Sequence, residues 1–174
     1  MTKYLKLISI IAAILLLHAC TSLPTGIKPV NNFNLDKYLG TWYEIARIDN
    51  SFERGLTKVT ATYTMRDDGG VNVLNKGYNA KHDSWKQAEG KAYFIDDEKV
   101  GHLKVSFFGP FYASYVVVNT DAKHQQFAVV SGYNKDYLWL LSRKPTVSNE
   151  VMNDFMALAK NKGFNMDELI LVEQ

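Results

Sequence analysis

The chain has 174 residues, of which 47% are hydrophobic and 22% charged, a composition that fits one globular domain with enough apolar material for a core. Lysine and arginine total 20 against 18 for aspartate and glutamate. Two of the lysines, Lys3 and Lys6, lie in the first nineteen residues, which contain no acid, so the remainder is formally neutral. A neutral domain lacks the surplus of basic residues that neutralises phosphates, which excludes nucleic acid as a partner.

The first twenty residues have the pattern of an export signal. Lys3 and Lys6 precede an eleven-residue apolar run over 7–17, and small Ala19 comes directly before Cys20, the only cysteine. The alternative is a transmembrane helix, which needs about 20 apolar residues. The run is shorter than that and Ser9 interrupts it, so the pattern favours a signal peptide over residues 1–19.

Residues 17–20 (LHAC) resemble the bacterial lipobox. The resemblance implies that Cys20 is lipid-modified and becomes the new amino terminus, and that Thr21 after it directs the protein to the outer membrane. It implies two or three acyl chains, which anchor a protein firmly where one chain does so only marginally. Residues 20–32 are then predicted to be a tether, because Pro24, Gly26 and Pro29 punctuate a stretch without apolar periodicity.

The remainder, 33–174, is a succession of short apolar runs separated by turn residues. Gly69 and Gly70 lie in one tight connection, and residues 134–136 form another. Eight antiparallel strands with hairpin connections predict an all-β up-and-down barrel, with a sandwich as the alternative architecture. The predicted strands cover residues 43–48, 59–65, 71–78, 91–95, 103–108, 115–119, 127–133 and 137–142.

One helix and one short strand follow the predicted barrel. Ser148 is a suitable N-cap and Gly163 a suitable C-terminal stop, and between them apolar residues recur at helical spacing. The apolar stripe predicts packing against the outer barrel wall. Residues 169–172 are predicted to form a short final strand.

Three short motifs occur in the order and strand context of the lipocalin family. Gly40 and Trp42 open the first strand, Thr120 and Asp121 follow the sixth, and Arg143 ends the eighth. The segments 38–47, 52–55 and 104–112 are similar to bacterial outer-membrane lipocalins, which are related to apolipoprotein D. The resemblance covers residues 31–174 and implies a lipocalin barrel whose floor holds Trp42 with the Arg143 cation across its ring. It also implies that a helical turn within 33–39 closes the floor.

The resemblance and period-two alternation together predict the barrel lining. The lining is expected to contain no buried acid or base, which favours a long apolar ligand, a fatty acid or a lysophospholipid. Each lining residue is alternatively an ordinary core residue, and Tyr63 and Tyr115 alone carry hydroxyls for a head group. The predicted ligand-binding residues are Ala61, Tyr63, Asn75, Phe107, Tyr115, Val117, Val129, Trp139 and Leu141.

Several large apolar residues are predicted to lie in connections, namely Phe52, Phe108, Phe111 and Tyr112. Two interpretations remain open for them. Either they contact a membrane or a second subunit, or the loops fold over the barrel mouth.

Catalysis is not expected. His82, His102 and His124 are scattered, without the spacing of a zinc site, and no G-x-S-x-G sequence is present. Neither a metal nor a cofactor is predicted. The resulting hypothesis is an outer-membrane lipoprotein whose barrel faces the periplasm, binds or transports lipid in envelope maintenance under stress, and is a candidate homodimer. The alternatives are a structural or partner-binding lipoprotein with a filled barrel and, in third place, a lipid-modifying enzyme.

Overall fold

The computed structural model describes residues 21–121 and 125–174. The predicted signal peptide, Cys20 and His124 therefore lie outside the described residues. None of the helices in the described ranges is long and apolar enough to cross a membrane. The elements are α1 (Leu35–Tyr38), β1 (Gly40–Ile48), β2 (Leu56–Met65), β3 (Val71–Asn79), β4 (Ser84–Phe94), β5 (His102–Ser106), β6 (Ala113–Thr120), β7 (Phe127–Ser131), β8 (Leu138–Ser142), α2 (Asn149–Asn161), a 3-10 turn (Met166–Glu168) and β9 (Leu169–Leu171).

The first eight strands form a closed antiparallel barrel. Each strand from β2 to β7 pairs with the next strand in the chain, and β1 pairs with β2 through Gly40–Tyr43 and with β8 through Tyr43–Arg47. Closure at β1 confirms the predicted barrel and excludes the sandwich. The predicted helix and final strand are also present, as α2 and β9.

The largest difference from the predicted strands is in β4, which begins at Ser84 and not at residue 91. Its first half, residues 84–90, reads SWKQAEG, which lacks the apolar alternation of a half-buried strand. Most of these residues are exposed in the structure, although all pair with β3 as far as Gly90. This part of β4 is held by backbone pairing with β3 and buries little apolar surface. Apolar alternation in the sequence therefore does not detect it.

Two apolar clusters lie on the two sides of the barrel wall. The inner cluster fills the lower barrel and includes Trp42, Tyr63 and Val117. The outer cluster lies between the wall and α2, and Phe155 and Ala159 contribute the helix side of it. The Ser148 hydroxyl accepts a hydrogen bond from the Val151 amide, as an N-cap does.

Residues 21–32 form neither helix nor strand, but they pack along the outside of the barrel. Ile27 is buried in the outer cluster. The Val30 amide donates to the Val117 carbonyl at 2.8 Å, and the Phe33 amide donates to the Lys99 carbonyl at 2.7 Å. Contact with the barrel therefore begins before residue 33, the predicted start of the folded domain.

The segment after α2 occupies the seam where β1 and β2 diverge. Strand β9 pairs with Ala46–Ile48 of β1, and the Lys58 amide of β2 donates to the Glu173 carbonyl at 2.6 Å. The Gln174 side-chain amide donates to the Val59 carbonyl at 3.0 Å and to the Glu44 carbonyl. The two strands are thus joined through the last residues of the chain where they no longer pair directly.

Candidate functional site: the barrel interior

The barrel is closed at one end, here called the floor, by Trp42 and Arg143. Trp42 is fully buried, and its indole nitrogen donates to the Tyr38 carbonyl at 2.8 Å. The Arg143 guanidinium lies 3.8 Å from the centre of the Trp42 ring, the arrangement that the resemblance implies. The guanidinium also donates to three backbone carbonyls, those of Lys37, Leu39 and Thr41, at 2.6, 2.8 and 3.0 Å.

Gly40 and Thr120 have backbone roles at the floor. Gly40 has a φ of +93°, a backbone conformation in which any other residue would be strained, and it lies next to the Arg143 guanidinium. The Thr120 hydroxyl donates to the Phe127 carbonyl at 2.7 Å and ties the end of β6 to β7. Asp121 follows directly after β6. The three motifs thus all lie at the floor end of the barrel.

A cluster of three tyrosine hydroxyls lies above the floor. The Tyr115 hydroxyl is 2.6 Å from that of Tyr38 and 2.8 Å from that of Tyr63. Burial raises the pKa of all three phenols, and contact with its two neighbours raises that of Tyr115 further. Three hydroxyl groups form two mutual bonds, so one O–H remains for another acceptor. The cluster is uncharged at neutral pH.

Most of the predicted lining residues face the interior. Ala61, Tyr63, Val117 and Leu141 belong to the buried inner cluster. Nearer the other end of the barrel, Phe107, Tyr115 and Trp139 are only partly buried and pack against that cluster.

Asn75 faces inward as well, because it shares a strand face with Val71 and Val73. Its side-chain oxygen is buried and has no hydrogen-bond partner within the described part of the chain. An acceptor in this position is available to a donor on a bound ligand.

The prediction for Val129 is wrong. Val129 lies in the outer cluster, and its neighbours Ala128 and Val130 face the interior. It pairs with Leu140, which is also in the outer cluster, whereas Val130 pairs with Trp139. Directly opposed residues share a sheet face, so the inward position of Trp139 fixes Val130 as the lining residue. The choice between Val129 and Val130 depends on the β7–β8 register. Alternation within one strand does not supply that register.

The end opposite the floor, here called the mouth, is open to solvent. The inward face of β4 carries Ala92, Gly90, Ala88 and Lys86 in order from floor to mouth. Ala92 is 4% exposed, Gly90 is half-buried, and Ala88 and Lys86 are exposed. Residues 84–90 pair with β3 but not with β5, which pairs with β4 only from Lys91 to Phe94, so this part of the hairpin extends beyond its neighbour. Phe107, Tyr115 and Trp139 are also only partly buried, so the interior is packed less completely toward the mouth than at the floor.

A buried charged group lies at the side of this upper interior, and it corrects the expectation of an interior without acid or base. Glu44 and Arg47 of β1 are almost fully buried and form an ion pair at 2.6 Å. Arg47 also donates to the carbonyls of Glu53 and Leu56. The Glu53 carboxylate accepts from the Trp139 indole at 2.8 Å and from the Asn50 side chain at 2.7 Å.

The Glu44 carboxyl group pairs with the Arg47 guanidinium and also lies against the carboxyl group of Glu53. Burial raises the pKa of Glu44 well above its ordinary value and repulsion from Glu53 adds to the rise, while Arg47 lowers it. Glu44 was detectable in the sequence, since it lies two residues after inward-facing Trp42. Alternation does not identify Arg47 as an interior residue. A bulge between Glu44 and Ala46 shifts the pattern by one residue, so Arg47 and not Ala46 faces inward, opposite Trp139.

Comparisons with known proteins agree with this structure. The family of lipocalin-like domains matches residues 33–174. The chain is 51% identical to outer membrane lipoprotein Blc of Vibrio cholerae over 170 residues, covering 98% of this chain and 99% of the relative. It is 52% identical to the protein of that name in Escherichia coli K12, covering 99% and 98%. It is 29% identical to mouse apolipoprotein D, covering 82% and 78%.

Among solved structures, insecticyanin of the tobacco hornworm Manduca sexta matches with a TM-score of 0.69 and 21% identity, covering 88% of this chain and 87% of insecticyanin. That likeness shows the fold alone. The match over residues 33–174, the two relatives above 50% identity and the closed barrel together show the family. The chain is a member of the lipocalin family.

Proposed function

We propose that this chain is a lipocalin anchored to the outer membrane through lipidated Cys20, and that its barrel binds a single-chain lipid. The relatives above 50% identity carry the name outer membrane lipoprotein, which supports the location. The ligand class is a fatty acid or a lysophospholipid, held without chemical change. The proposed role of the protein is storage or transport of membrane-derived lipid in envelope maintenance under stress.

The partial burial of Phe107, Tyr115 and Trp139 is the observation that carries the binding proposal. All three pack against the inner cluster, yet each leaves part of its surface uncovered, whereas side chains that filled the barrel would cover these rings. Each methylene that moves from water onto such apolar surfaces contributes about 0.8 kcal/mol.

Two acceptors are present for the head group of the ligand: the unpartnered side-chain oxygen of Asn75, and the carboxyl group of Glu53, which lies beside Trp139 toward the mouth. Acceptors fit the hydroxyl or ammonium of a lysophospholipid head group and not an ionised fatty-acid carboxylate. Small numbers of placed polar groups in an apolar cavity are typical of sites that orient an amphiphile.

The decisive experiment is extraction of the purified protein with organic solvent, followed by mass spectrometry of the extract. We expect a co-purified single-chain lipid, and saturable binding when the delipidated protein is titrated with a fluorescent fatty acid. The absence of both would favour the filled, structural barrel. Turnover of an ester or phospholipid substrate would overturn the view that the protein does not catalyse a reaction.

The anchor is tested separately by the mass of the amino-terminal peptide. A peptide that begins at Cys20 and carries acyl chains is expected from the native chain. The Cys20→Ser variant should lose the acyl mass and sediment apart from membranes.

A further inference from the structure

Four exposed aromatic side chains, here called the mouth rim, surround the open end of the barrel. They are Phe52, which is 70% exposed, Trp85 (61%), Phe108 (72%) and Phe111 (67%). Phe52 lies in the β1–β2 connection, Trp85 at the start of β4, and Phe108 and Phe111 in the β5–β6 connection. In an up-and-down barrel these connections all lie at the end opposite the floor. Exposure of Phe52, Phe108 and Phe111 excludes loops folded over the mouth with these three side chains buried, whereas Tyr112, the fourth residue of the sequence prediction, is partly buried beside Tyr93.

Aromatic content distinguishes the two ends of the barrel. The connections at the mouth, residues 49–55, 80–83, 107–112 and 132–137, contain three basic and four acidic residues. At the floor, residues 66–70 and 95–101 together with Asp36, Lys37, Arg143 and Lys144 contain five basic and six acidic residues, and the two hairpin connections have no aromatic residue. Both ends are thus nearly neutral, and the exposed aromatic residues lie at the mouth. Aromatic side chains at a nearly neutral surface are typical of contact with the interfacial region of a bilayer.

The path of the amino-terminal segment leads to the same end. Phe33 lies beside Lys99 at the floor, and Val30 lies beside Val117. Farther toward the amino end, the Ser22 carbonyl accepts a hydrogen bond at 2.9 Å from the hydroxyl of Ser114. Ser114 is the second residue of β6, which begins at the mouth. The chain therefore runs along the outside from floor to mouth as it approaches Cys20.

Cys20 is two residues before Ser22, a length of at most about 7 Å of extended chain. A lipid on Cys20 would enter the membrane close to the β5–β6 connection that carries Phe108 and Phe111. The tether is too short, and too closely packed on the barrel from Ser22 onward, to let the floor approach the bilayer instead.

We infer that the mouth rim docks on the phospholipid bilayer that holds the anchor, so that the barrel opens directly onto the membrane surface. The inference rests on the proposed lipid anchor at Cys20. A ligand would then pass between bilayer and barrel without crossing bulk water. Docking depends on aromatic insertion and not on charge, so anionic lipids and low salt are not required.

Trp85 is a natural reporter for this contact. The full lipidated chain is reconstituted in phosphatidylcholine vesicles, with and without bromine on the acyl chains, and tryptophan emission is measured. Bromine quenches only tryptophans that reach the bilayer. We expect the wild type to be quenched more strongly than the Trp85→Phe variant, whose remaining tryptophans are Trp42, buried at the floor, and Trp139, inside the barrel. The difference should persist at high salt.

The matched control places a tryptophan at the other end. Met65, the last residue of β2, is 48% exposed at the floor. In the Trp85→Phe background, Met65→Trp should add emission that bromine does not quench. The double variant Phe108→Asp and Phe111→Asp should reduce quenching of Trp85 while the protein still sediments with vesicles.

Other results would overturn the inference. If bromine quenches the emission added by Met65→Trp as strongly as it quenches Trp85, or more strongly, the floor faces the membrane. Emission of Trp85 that is shielded at high protein concentration but insensitive to bromine would show that a second copy of the chain covers the rim. A chain that fails to sediment with vesicles would refute the anchor itself. Anchored protein with unquenched Trp85 would refute only the orientation.

Discussion

Arg143 contributes to the floor through its ring contact and its three hydrogen bonds together. Lysine retains the positive charge but cannot donate to three carbonyls in the fixed planar geometry of a guanidinium. The carbonyls of Lys37, Leu39 and Thr41 come from α1, the following residue and β1, so one side chain joins the floor helix to the first strand.

Replacement of this side chain should therefore lower stability more than ligand affinity. We expect Arg143→Ala to lower the free energy of unfolding by about 2 to 4 kcal/mol, from the lost charged hydrogen bonds and cation–π contact. Arg143→Lys should recover only part of the loss. Urea unfolding with a fatty-acid titration of each variant measures both quantities. A large loss of affinity at unchanged stability would contradict a structural role at the floor.

Replacement of Trp139 should lower ligand affinity more than stability. It is partly exposed in the upper interior, and its indole donates to Glu53. Trp139→Ala should weaken ligand binding by about tenfold, or 1.4 kcal/mol, as apolar contact surface is removed. Trp42→Ala, at the packed floor, is the comparison and should mainly lower the melting temperature. Equal losses of affinity in both variants would mean that the ligand reaches the floor.

Glu44 makes stability dependent on pH. Its pKa is raised in the folded protein by burial and by Glu53, so the folded state holds its proton more tightly than the unfolded chain does. The resulting stabilisation is complete below the ordinary carboxyl pKa and is lost as pH rises through the higher, folded pKa. We expect the stability of the wild type, relative to Glu44→Gln, to fall as pH rises above about 4.5. Urea unfolding of both proteins between pH 4 and pH 8 measures this difference, and a constant or rising difference would contradict it.

At the scale of elements, the outer apolar cluster is expected to contribute to stability without contributing to ligand binding, because it lies outside the barrel wall. Phe155 of α2 is buried against the outer wall and does not reach the interior. Phe155→Ala should cost about 3 to 5 kcal/mol of stability, because it leaves a cavity in a packed core. Its neighbour Met156 is 41% exposed, so Met156→Ala is the matched control and should have little effect. Fatty-acid affinity, measured under conditions in which both variants are folded, should match that of the wild type.

The elements also show which parts of the structure are predictable from sequence. Strands that bury one face, such as β2 and β3, alternate clearly, and the sequence predicts them to within a few residues. Alternation does not predict the first half of β4, because both of its faces are accessible near the mouth. It predicts the wrong side for Val129, because the choice depends on pairing with Leu140. It does not identify Arg47 as an interior residue, because a backbone bulge changes the alternation. The errors come from pairing, bulges and openings, which depend on other strands.

At the scale of the whole molecule, the closed floor and open mouth predict how affinity depends on ligand length. Each added methylene should strengthen binding by about fourfold, corresponding to 0.8 kcal/mol, until the chain fills the space above the floor. A ligand at about a hundred times its dissociation constant raises stability by about 2.7 kcal/mol. Melting temperatures with saturated fatty acids of increasing length should therefore rise and then level off. No dependence on length would contradict binding of the chain inside the barrel.

The seam between β1 and β2 has a consequence for the order of folding. Strand β1 pairs with β8 about a hundred residues later in sequence, and the side chain of Gln174 joins β1 to β2. On the proposed export route, a chain that crosses the membrane amino end first cannot close this barrel until β8 has also crossed. Native pairing over such long sequence separations is slow. The long separation between the paired strands would therefore delay closure of the barrel until most of the chain has been translocated.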